Sequence, residues 1–78
     1  MNITFQQVGR LLNPDLRAKA AAVVRQFGKG GDGDPMAAQW VGACTAEYVR
    51  TCAQRAVDAD ANDADALNLV YFLNNALS

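Results

Sequence analysis

The chain has 78 residues, 51% of them hydrophobic, a formal net charge of −1 and no histidine. A chain this short makes one domain with a modest core, and its composition excludes a disordered or low-complexity protein. The near-neutral total excludes a global pull toward nucleic acid or anionic membrane, and the lack of histidine removes the commonest general base and a common metal ligand.

Helix signals run along the whole sequence. Thr4-Phe5-Gln6-Gln7 fits a capping box, in which Thr4 caps and Gln7 reaches back. Phe5, Val8, Leu11 and Leu12 then form an apolar stripe, giving a first helix over about 5–12. Asn13-Pro14-Asp15 restarts the chain with a cap, a proline at the first helical position and an acid against the positive end of the dipole. Leu16, Ala20, Val23, Val24 and Phe27 share one face of a second helix over 14–27. Gly28 falls where a left-handed C-cap is expected.

Residues 28–34, "GKGGDGD", form the one clear loop and are expected to act as a flexible connector. They are no Walker sequence, and Asp32 and Asp34 would repel a phosphate. A third helix is expected over about 35–57, with Ala37, Trp40, Val41, Cys44, Tyr48, Cys52 and Ala56 on one face and Trp40 and Tyr48 in the core. The stretch "VDADANDADALNLV" at 57–70 supplies Asp58, Asp60 and Asn62 at calcium-loop spacing. Asp63 stands where such a loop needs glycine and Leu69 where it needs glutamate. The segment therefore reads as a turn, capped by Asn62 or Asp63, into a last helix over about 63–77. That helix looks apolar on two faces: Leu67, Val70 and Tyr71 on one, Leu69, Phe72, Leu73 and Ala76 on the other. The expected architecture is all-α, a small bundle of about four helices in a single domain spanning 1–78.

Catalytic chemistry finds little to work with. Glu47 is the sole glutamate, and it reads as a helix-surface charge. Cys44 and Cys52 stand eight apart, about 12 Å along one expected helix, too far for a mutual disulfide. They form no CxxC pair and have no histidine with which to build a zinc site. No catalytic, cofactor-binding or metal-ligating residue is expected. No signal-peptide core and no apolar run approaching the ~20 residues of a bilayer span is present, so the expected location is the cytoplasm.

Charge is unevenly spread. Residues 1–33 carry five cations against two anions, a net +3, whereas residues 34–78 carry two cations against six anions, a net −4. The reading that follows is a small non-catalytic protein–protein interaction module. It would act as a regulator or inhibitor, of the kind phage and other mobile elements encode, by covering a surface of a larger protein. The expected self-contact of a homodimer is Leu69, Phe72, Leu73 and Ala76. Asp58, Asp60, Asp63 and Asp65, or the Arg17 and Arg25 face, would steer the partner. The alternative is a dimeric helical DNA-binding transcriptional regulator whose second helix contacts phosphates.

Overall fold

The computed structural model describes residues 3–78. It is all-α: α1 (Phe5–Gly9), α2 (Pro14–Phe27), α3 (Pro35–Gln39), a 3-10 turn (Val41–Ala43), α4 (Ala46–Ala59) and α5 (Ala64–Leu77). The three long helices make the body. α4 and α5 share the largest interface, and α2 packs across both while also covering α3. Extents of 27 × 24 × 23 Å describe a near-isotropic bundle.

Caps set the boundaries. Thr4 Oγ1 accepts from the Gln7 N–H and the Gln7 side chain returns to the Thr4 N–H, completing the capping box. Asn13 and Asp63 cap α2 and α5 through their side chains. Between them these caps satisfy amide donors that the first turn of a helix leaves without partners.

The expected 35–57 helix is interrupted. α3 ends at Gln39, the 3-10 turn occupies 41–43, and Cys44 and Thr45 are extended before α4 begins. The cause is a competing main-chain contact. Thr4 and Thr45 pair in an antiparallel bridge, the Phe5 N–H donating to Cys44 O (2.8 Å) and the Ala46 N–H to Ile3 O (2.7 Å). An unbroken helix cannot offer those groups outward. Thr45 then caps α4 by accepting from the Tyr48 N–H.

The core holds Phe5, Leu12, Val23, Val24, Val49, Cys52, Leu69, Val70 and Leu73, closely spaced by the alanines Ala20, Ala46, Ala53, Ala56 and Ala66. Helix α5 buries a single stripe, Ala66, Leu69, Val70 and Leu73, at helical spacing, and turns Tyr71 outward. The two expected faces are thus redrawn: Val70 joins Leu69 and Leu73 inside, while Leu67, Phe72 and Ala76 remain partly accessible. α1 stops at Gly9, and the following turn buries Leu12 while leaving Leu11 exposed.

Candidate functional site

The glycine-rich loop is held, not loose. Tyr48 on α4 donates its hydroxyl hydrogen to Asp34 Oδ2 at 2.8 Å, and the Tyr48 hydroxyl oxygen in turn accepts from the Lys29 N–H. Arg55, about two turns further along α4, donates to the carbonyls of Phe27 (2.8 Å) and Lys29 (2.6 Å). Asp34 also caps α3 through the Ala37 N–H, and its own N–H donates back to Val24 O and Arg25 O. The Tyr48 hydrogen bond holds the Asp34 carboxyl below the usual carboxylate range. Burial pushes the Tyr48 phenol up.

Gly28 is extended, with φ −70°, and so is not a left-handed cap. It is glycine because a Cβ there would lie 2.5 Å from Asp34 Cβ and 2.6 Å from the Tyr48 hydroxyl. The left-handed conformation falls on Lys29 instead, at φ 52°.

The residues singled out in sequence fall in different places. Leu69 and Leu73 are fully buried in the chain's own core, so neither is open to a second copy. Phe72 and Ala76 remain partly accessible. Asp63 is occupied twice over: it caps α5 through the Ala66 N–H and pairs with Lys19 Nζ at 2.7 Å, tying α2 to α5. The Lys19 hydrogen bond keeps its carboxyl below the ordinary range. Asp60 closes the turn by accepting from the Asn62 N–H, and Asp58 accepts from Gln54. Asp58, Asp60 and Asp65 are exposed, but among the described residues no group of three or more His, Cys, Asp or Glu is placed to hold a metal ion. Arg17 and Arg25 do not share a patch. Eight residues put them about 12 Å apart along α2, and Arg25 belongs to its last turn beside the loop.

Cys44 and Cys52 lie on different elements, Cys44 before α4 and Cys52 within it. Both are free thiols, and burial pushes both up, away from thiolate reactivity.

What the sequence did not point to is a concave face built by α1 and the 3-10 turn. Phe5, Gln6, Gly9, Arg10, Arg17, Val41 and Gly42 line an open groove of about 300 Å³. Gly9 keeps its floor clear, since a Cβ there would stand 2.8 Å from the Phe5 ring. Arg17 is oriented by donating to Leu12 O at 2.6 Å. Trp40, expected in the core, is 68% exposed at the residue preceding Val41, and Met36 and Leu11 are exposed at 71% and 76%. Three large apolar side chains thus lie open on the segments that carry or flank the groove. Trp40 escapes the core because the break at 41–45 rotates it out of the α4 register.

No known protein family, characterised protein or solved structure matches the chain. Among the described residues no helix is long and apolar enough to cross a membrane.

Proposed function

We propose that this protein is a small non-catalytic interaction module of the cytoplasm. It regulates or inhibits a larger protein by covering part of its surface. The observation that carries the reading is the exposure of Leu11, Met36 and Trp40 on the segments that carry or flank the α1 groove. Large apolar side chains of this kind, tryptophan above all, anchor protein interfaces. The raised thiols of Cys44 and Cys52 and the absence of histidine give further support for a non-catalytic role. A homodimer is proposed as well, with Phe72 and Ala76, beside the exposed Tyr71, as the surface of α5 left for the second copy.

The test is an affinity capture of tagged protein from its native lysate, with and without nuclease, read by mass spectrometry. A chain with Leu11, Met36 and Trp40 all changed to alanine serves as control. One stoichiometric partner that survives nuclease and is lost by the control supports the reading. Co-purifying nucleic acid, with partners lost on nuclease treatment, would replace it with the DNA-binding regulator.

A further inference from the structure

The groove between α1 and the 3-10 turn combines an apolar floor with unsatisfied positive charge. Phe5, Gly9, Val41 and Gly42 supply the floor, and Arg10 and Arg17 stand at its margin. The one ion pair among the described residues joins Lys19 to Asp63, so neither arginine has a carboxylate partner. Arg17 spends one amino group on Leu12 O, which fixes its direction and leaves further donors of the guanidinium free. Gly42 leaves room above Gln6, where an added Cβ would sit 3.4 Å from the Gln6 side chain.

Size narrows the occupant. About 300 Å³ lies at the bottom of the ~300–1,000 Å³ range of ligand clefts and suits one or two side chains of a longer segment. Charge narrows it further, because a guanidinium beside an apolar surface selects a planar carboxylate in two-pronged geometry. Nucleic acid fits less well. Two cations on one margin do not track a phosphate backbone, and a chain of net −1 with an acidic C-terminal half repels a polyanion.

We infer that the groove takes a peptide segment of a partner protein in which one large apolar residue, such as leucine or phenylalanine, is flanked by aspartate or glutamate. The inference rests on the interaction reading above and names the chemistry of its partner. The apolar side chain sits on the Phe5–Gly9–Val41–Gly42 floor, and the carboxylates pair with Arg10 and Arg17.

The test pans a random-peptide display library against the whole protein. One selected peptide is then titrated into the isotopically labelled chain. Selected sequences should share an apolar residue with adjacent acids, and the amides of Gly9 and Gly42 should shift. Arg10→Glu with Arg17→Glu should weaken that peptide by about tenfold or more, in a chain that circular dichroism shows still folded at the temperature of the titration. Added salt should weaken it too. Peptides lacking acids, shifts confined to the Tyr71 side, or a failure to select any peptide would overturn the inference. So would equal shifts of Gly9 and Gly42 by inorganic phosphate or by a DNA duplex, which would leave an anion site alone. If the charge-reversed chain still captures the same partner from lysate, the groove assignment fails while the interaction reading stands. If neither chain captures a partner, the interaction reading fails with it.

Discussion

Tyr48 and Asp34, fourteen residues apart, meet through a 2.8 Å hydrogen bond that fastens a loop with four glycines between residues 28 and 33 to the middle of the bundle. Tyr48→Phe removes the donor to Asp34 and the acceptor for the Lys29 N–H together. A net loss of about 1 kcal/mol corresponds to a fall in melting temperature of about 4–8 °C for a domain of this size. Thermal unfolding followed by circular dichroism measures it. An unchanged transition would mean that Arg55 and the main-chain bonds of the loop hold it without Tyr48.

Two glycines of that loop should respond in opposite ways to alanine. Gly28→Ala drives a Cβ to 2.5 Å from both Asp34 Cβ and Val24 O, neither the end of a flexible side chain, so the clamp must open and stability drop. Gly30→Ala meets nothing within 4 Å, and its smaller unfolded-state entropy should leave it neutral or slightly more stable. Denaturant midpoints of the two variants, measured side by side, decide the matter.

Stability should fall in acid, with a definite sign. Asp34 and Asp63 both titrate below their ordinary value of 3.8 in the folded chain, through bonds from Tyr48 and Lys19 respectively. Their contribution is fully present above the unfolded-state value and is lost as pH falls through the folded one. Melting temperature should therefore hold steady near neutrality and decline below about pH 4. Asp63→Asn keeps a competent cap and breaks the pair with Lys19, so its decline should be shallower than that of the unaltered chain.

The two thiols should differ in access while sharing low reactivity. Burial raises both, so each should react with a disulfide reagent at mildly alkaline pH more slowly than free cysteine. Cys44 is only half-buried and should be labelled first, whereas Cys52, fully buried, should wait for unfolding. Mass spectrometry of timed labelling gives the order.

Much of the fold was written in local signals. The capping box at Thr4, the Asn13-Pro14 start and the Asp63 cap all sit where side chain and backbone interact within three residues, and such contacts survive any tertiary context. The helix break at 41–45 was not legible, because it depends on Ile3–Phe5 pairing with residues far along the chain. Periodicity carried Trp40 into the core for the same reason. On α5, Leu69 and Phe72 look alike as apolar residues, and only the packing of α2 and α4 decides that Leu69 goes in and Phe72 stays at the margin. The groove had no sequence signature at all. Its signal is two glycines and two arginines that become neighbours only after the bridge forms.

That bridge also sets the order in which the molecule comes apart. α2, α4 and α5 enclose one another, whereas α1 leans on the 3-10 turn and on the start of α4, fixed there by two main-chain bonds between segments distant in sequence. Contacts of this kind close late in folding and release early in local opening. The proposed recognition face therefore lies on the least secured part of an otherwise tightly enclosed body. A segment bound across α1 and Val41–Gly42 would act as a fastener over that seam. Amide protons of Phe5 and Ala46 should be the ones whose exchange with solvent slows most when it arrives.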